Sequence, residues 1–304
     1  MRPVTYREQK GAGDRLRRKA ARVIAQIRRL DAEGVRTTVK AVDEVRKEIR
    51  RTIRDAGDFS TFHLRSIQGE VNDLLSRFAE THPAEMRRFM DEGFELGLAK
   101  LDEPLAAARV AVQLPTITLE QVSAAALVPA HYGELIRGVS DQARELITRE
   151  ITLGAMGAKT PNEVMKGIDA AFGRPGVRKG ISLRAESIAR TELKRVQSFA
   201  TDARLKQAAE VVKELEQEWA WSGVSRIEHA MADGQTRKIG RPFDVGGEGL
   251  MFPRDPAGSP ENTINCGCDA IPFLRGISEE RAGLTAAQAG DIIEGGGRSM
   301  LLAA

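Results

Sequence analysis

Three side chains in this sequence carry soft-metal chemistry: His229, Cys266 and Cys268, the last two being the only cysteines present. Imidazole nitrogen and thiolate sulfur are the donors of structural zinc sites, which take four such ligands and occasionally a carboxylate. The fourth ligand would be Asp233, Asp255 or Asp269, or would come from another subunit. Cys266-Gly267-Cys268 lacks the usual gap of about two to four residues between zinc cysteines. The reading preferred from the sequence is therefore two small buried thiols and a hydrogen-bonded histidine without a cofactor, with a structural zinc as the alternative. A disulfide across one intervening residue is strained, so a disulfide-framework protein is excluded.

An enzyme would need more machinery than this. The chain contains no G-x-x-x-x-G-K-[ST], no H-E-x-x-H and no G-x-S-x-G. Gly246-Gly247-Glu248-Gly249 follows no clear strand and opens no helix, so it does not read as a phosphate cradle. A metal-dependent nuclease using His229 as base beside a cysteine-held zinc would require a second set of metal ligands, which the sequence does not supply. A non-enzymatic role is expected. His63, His82 and His131 have no ligand spacing and read as surface or packing residues.

The elements that must position these residues are helical for most of the chain. Charged residues make up 29% and aromatics 5% of 304 residues, a balance that favours long solvated helices and more than one packing unit. Leu16, Ala20, Val23, Ile27 and Leu30 form a stripe at intervals of three and four, and Val35, Val39, Val42, Val45, Ile49 and Ile53 continue it after Gly34. One long helix or two stacked ones would result, either self-associating as a coiled coil or folded as a hairpin within one subunit. Shorter helices should follow, broken at Gly57, His82-Pro83 and Pro104, with a boundary at Leu114-Pro115. Thr118 with Gln121, and Thr160-Pro161-Asn162-Glu163, are capping boxes that open helices. Between them Leu135, Val139, Ala143, Ile147 and Ile151 share one face and should be core. Residues 172–181 read as a hinge, and helix resumes from Ser182 to about Glu218. The segment from Trp219 to Gly276 should be turns and short strands. Trp219 and Trp221 are expected to face opposite ways, one into the core and one into an interface.

The fold class expected is mainly α, with long N-terminal helices, a helical middle region and a small C-terminal α+β or irregular module. The divisions are a coiled-coil-like arm over 1–105, a middle region over 106–178, the module over 179–276 and a tail over 277–304, with a capping pattern at Thr285 and Gln288 and a glycine run at 295–297. No run approaches the ~20 apolar residues of a membrane span, and Met1–Lys10 lacks the apolar core of a signal peptide, so a cytoplasmic protein without membrane contact is expected. Residues 1–60 hold 17 Lys/Arg against 9 Asp/Glu, an arm that could touch DNA or an acidic protein surface.

A run of motifs in order gives these features a context. It begins at Ile188-Ala189-Arg190-Thr191-Glu192, passes Trp219 and Trp221, then Arg226-Ile227-Glu228-His229 and Asp233-Gly234-Gln235, and reaches Pro253-Arg254-Asp255-Pro256 and Asn265-Cys266-Gly267-Cys268. This order resembles the phage Mu protein F-like minor head proteins, the head-morphogenesis family, over roughly residues 180–275. The resemblance makes Arg190, Thr191, Glu192, Trp221, Arg226, Gly234 and Asn265 structural motif residues. Gly223 stands where family members often have Asp, and Gly267 where they commonly have Arg, so roles of those side chains do not carry over. It implies a virion protein of few copies, associated with portal and with major capsid or scaffold protein during head assembly, and helping DNA retention or ejection. Within the module, Arg190 and Glu192 lie about 200° apart on a helix and cannot pair with each other. Arg190 can pair with Glu186 one turn earlier, or the two can clamp the glycine-rich module to the helix.

Overall fold

The computed structural model describes residues 6–56, 61–173, 180–224 and 226–278. Among these the chain is mainly helical with a small C-terminal region of short antiparallel strands, as expected. Most of the expected hinge at 172–181 lies outside the described residues, as do the Gly57 break, the Thr285/Gln288 pattern and Gly295-Gly296-Gly297. Helices α1 (Tyr6–Asp55), α2 (Thr61–Ala107), α3 (Ser123–Ala155), α4 (Pro161–Phe172) and α5 (Gly180–Ala209) come first. They are followed by β1 (Leu215–Ala220), α6 (Ile227–Met231), β2 (Thr236–Lys238), β3 (Phe243–Val245), β4 (Glu248–Leu250), α7 (Pro260–Thr263) and β5 (Asp269–Leu274).

The stripe beginning at Leu16 forms one helix, α1, which runs through Gly34 without a break. Glycine inside a helix costs about 1 kcal/mol, whereas each fully buried Leu or Ile contributes about 1.5–3 kcal/mol, so the burial of Leu16, Val23, Ile27, Ile49 and Ile53 decides. Val39 and Val45 are only half-buried. Helix α2 corrects the expected breaks at His82-Pro83 and Pro104, because it continues through both. An interior proline costs about 3 kcal/mol. Burial of Phe78, Met86, Phe89, Met90 and Phe94 along the same helix exceeds that, and Pro104 stands where α2 is about to end. The Thr118/Gln121 box forms, but it opens a single 3-10 turn, Leu119–Gln121, ahead of α3. The Thr160/Glu163 box opens α4 with Pro161 in its first turn. On α3 the core face is carried by Tyr132, Ile136, Val139, Ala143 and Ile147, with Leu135 half-buried beside it.

The chain divides into two compact units built from segments distant in sequence. One comprises Ala32–Phe89 and Leu127–Glu192. Its interior holds a small polar group: His82 Nε2 lies 2.9 Å from Tyr132 Oη and 3.1 Å from Thr38 Oγ1. Phe78 stacks on the imidazole with ring centroids 5.2 Å apart. Burial pushes the His82 pKa below its ordinary value, and Glu85, 3.7 Å from Nδ1, pulls it part of the way back. A histidine held neutral by the fold contributes stability that is present above its unfolded pKa of about 6.5 and is lost as pH falls toward the lower folded value. His82→Gln should therefore be destabilised most at about pH 7 and progressively less toward about pH 5. Thermal melting of both proteins across that range checks it; a deficit that does not change with pH would contradict it.

The other unit comprises Met1–Asp31, Met90–Ala126 and Leu193–Ala304. Here the first turns of α1 bury Leu16 with Leu101, Leu105 and Leu205, and Ala20 and Ile24 pack on Ala220 and Ile271. The stripe in this segment is thus internal to the chain. Helices α2 and α5 approach closely at Gly97, where a Cβ would stand 2.6 Å from Ala200 Cβ and 2.7 Å from Gln197 O. Thr201 Oγ1 donates to Gly97 O at 2.9 Å across the same contact. Strands β2, β1 and β5 form an antiparallel sheet in that order, with Trp219 opposite Ala270. Strands β3 and β4 form a hairpin whose two-residue turn is Gly246-Gly247, with φ of 62° and 84°. Two successive positive φ values are what a tight hairpin turn requires, and this explains the glycine cluster without a phosphate.

Candidate metal centre

Short elements bring the three soft ligands together. Helix α6 carries His229, and its N-cap residue Arg226 donates from Nη2 to Ile264 O at 2.9 Å, which ties the start of α6 to the segment leading into Cys266. Asn265 has φ 57°, a left-handed conformation that asparagine tolerates better than most residues, immediately before Cys266. His229, Cys266 and Cys268 are each 0% exposed. Their donor atoms lie within 4.8 Å of one another.

The imidazole is oriented for ligation. Asn262 Oδ1 lies 3.1 Å from His229 Nε2, while Asn262 Nδ2 is directed at Val245 O and its amide also donates to Glu248. With the amide donors engaged, its oxygen faces the ring, so Nε2 carries the proton and Nδ1 presents a lone pair. That lone pair faces both sulfurs, with Cys266 Sγ at 3.4 Å and Cys268 Sγ at 3.5 Å. Zinc bonds of about 2.3 Å to sulfur and about 2.0–2.1 Å to nitrogen put tetrahedral S and N ligands about 3.6 Å apart. The observed spacing suits either thiol–imidazole hydrogen bonding or three ligands on one ion. The hydrogen bond from Cys268 draws the Cys266 thiol well below its ordinary pKa, whereas burial pushes Cys268 well above it.

The carboxylates expected as fourth ligands are engaged elsewhere. Asp233 Oδ1 accepts from Trp221 N at 2.9 Å, and Asp255 accepts from Met251 N and Ala257 N. Asp269 Oδ1 accepts from Lys100 Nζ at 2.8 Å. Among the described residues no carboxylate joins the three-ligand group. Ser222 stands beside it: its N–H donates to Cys268, and its buried Oγ lies 2.8 Å from where a Cβ on Gly267 would be. That hydroxyl has no hydrogen-bond partner among the described residues.

Arg254 holds the cysteine segment from behind. Its side chain is 1% exposed, with Nη1 donating to Cys266 O at 3.0 Å and Cys268 O at 2.6 Å, and Nη2 to Ser198 Oγ at 2.7 Å. It does so from a positive φ of 70°, a cost the guanidinium bonds offset. Asp269 lies 3.9 Å away and pairs with the buried Lys100. The Pro253-Arg254-Asp255-Pro256 motif was visible in the sequence, but an arginine between two prolines gives no sign of burial. Arg190 donates to Glu186 Oε1 at 2.5 Å on the same helix, the i,i+4 alternative, while Thr191 bonds back to Ser187 O at 2.8 Å and Glu192 is buried. These three residues sit in α5, Arg190 to Glu192 within the unit that ends at Glu192.

The remaining motif residues shape the module's interior. Trp219 and Trp221 are 0% and 3% exposed and share one core cluster, so neither is presented to an interface. Positions two apart on a strand share a face rather than opposing each other, and Trp221 lies just past the end of β1. Gly234 takes φ 78° and donates to Trp219 O at 2.9 Å, and Gln235 bridges to the backbone N and O of Asp244. The apolar side chains left exposed around α6 are Val224, Ile227, Met231 and Ile264. Comparison of the chain with protein families, with curated proteins and with solved structures finds no match.

Proposed function

We propose that this chain is a minor structural protein of a phage head, similar to the Mu protein F-like proteins, acting in head assembly with portal and with major capsid or scaffold protein. The observation that supports it most is the use to which the ordered motif is put. Trp219, Trp221, His229, Arg254, Cys266 and Cys268 are all buried, and the last four are hydrogen-bonded to one another or to the backbone around them. Residues spent on building a module suit a protein whose work is assembly. On this reading the protein is a virion component made in the host cytoplasm, and its copy number is low.

A DNA contact is a compatible second role, favoured by one observation. Arg15, Arg18, Arg22 and Arg29 are exposed on α1 and, at 100° per residue, fall within about 60° of arc on one face. Phosphate contacts from such a face release counterions, so binding should weaken steeply with salt. Mass spectrometry of purified particles should find the protein at low copy, and duplex DNA binding should lose affinity on Arg18→Glu with Arg22→Glu. Absence from particles, together with infectious heads from a deletion mutant, would sink the structural reading. DNA affinity that is indifferent to salt and to both reversals would remove the second role alone.

A further inference from the structure

We propose that His229 Nδ1, Cys266 Sγ and Cys268 Sγ bind one Zn2+ ion, which staples α6 to the segment entering β5. Four observations converge. The three donor atoms lie within 4.8 Å of one another. The two N···S distances, 3.4 and 3.5 Å, lie close to the tetrahedral edge of about 3.6 Å. Asn262 sets the tautomer that leaves the ligating nitrogen unprotonated, the kind of outer hydrogen bond that zinc histidines carry. Two sulfurs and an imidazole form a soft set that selects zinc over calcium or magnesium.

The surroundings explain why an ion would matter there. Strands β2, β3 and β4 have three residues each, and α6 has five. Elements this short bury little apolar surface of their own, and a structural zinc supplies the missing stability. Both sulfurs coordinate as thiolates, and the protons they held go to solvent. The three side chains leave one position of a tetrahedral ion to solvent, and Ser222, whose N–H donates to Cys268, stands beside the group. Nothing in this assignment depends on whether the protein belongs to a virion.

The test uses the full chain, purified without a metal-affinity step from zinc-supplemented cells. Elemental analysis should find about one zinc per chain. The two thiols should react with a thiol reagent at least about tenfold faster once a chelator is added. Cobalt replacement should give a sulfur-to-cobalt charge-transfer band, a readout that needs no variant. Cys266→Ser with Cys268→Ser should abolish both the zinc and the band. Three results overturn the proposal: a chain that takes up no added zinc, zinc retained in full by the double variant, or an intact mass lighter by two hydrogens, which would mark a Cys266–Cys268 disulfide. Failure of the double variant to fold leaves the elemental, labelling and cobalt results on the native chain to decide.

Discussion

Arg254→Met should destabilise the chain by about 3–5 kcal/mol in urea denaturation, as large as any single substitution expected here. The methionine keeps much of the stem's apolar contact and removes every donor. Cys266 O, Cys268 O and Ser198 Oγ then lose the bonds that Arg254 makes at 3.0, 2.6 and 2.7 Å. Each buried acceptor left without a donor costs about 1–3 kcal/mol, which is why the total exceeds the worth of a typical single hydrogen bond. Arg254→Lys separates charge from geometry. An ammonium keeps the positive charge near Asp269 but cannot reproduce a planar fork reaching two carbonyls and a hydroxyl at once. It should recover only part of the loss. A methionine variant within about 1 kcal/mol of the native chain would mean that the cysteine segment is held in place without Arg254.

The long helices were legible because hydrophobic periodicity repeats over many turns, and local signals such as Thr160-Pro161-Asn162-Glu163 depend only on neighbours in sequence. Proline was misleading at residue 83, because its cost is local and fixed whereas the burial that outweighs it comes from residues along the whole of α2. The soft-ligand trio could be picked out by residue type alone, since the chain has only two cysteines. Its supporting residues could not. Asn262 looks like any loop asparagine until α7 places it against the imidazole. Lys100 lies among leucines on α2, and nothing in its sequence neighbourhood marks a buried charge, yet it is 1% exposed. The tryptophans show the opposite failure: the sequence singles out both residues, but the burial of Trp221 depends on a core assembled from α6, β3, β4 and the cysteine segment.

Lys100→Met is the second large effect, and its pH dependence reveals the cause. Lys100 Nζ and Asp269 Oδ1 lie 2.8 Å apart across 169 residues of sequence, with side-chain exposures of 1% and 8%. Burial pushes the Lys100 pKa down and the Asp269 pKa up, but Lys100 and Arg254 together hold Asp269 at about 2. A carboxylate depressed below its unfolded pKa of about 3.9 contributes stability above that value and loses it as pH falls toward 2. Removing the lysine leaves Asp269 buried with Arg254 at 3.9 Å as its nearest remaining cation, and should cost about 3–5 kcal/mol near neutrality. Without that cation the Asp269 pKa rises, so protonation relieves the variant first and its deficit should shrink as pH falls. Adding Asp269→Asn removes the stranded charge and should recover about 1–3 kcal/mol, a coupling that a double-mutant cycle reads directly. Additive losses, or a deficit constant in pH, would mean that Lys100 contributes packing rather than charge. Because Asp269 opens β5 one residue after Cys268, the result also shows whether the cysteine segment is anchored to α2 by this ion pair or only by the strand that follows it.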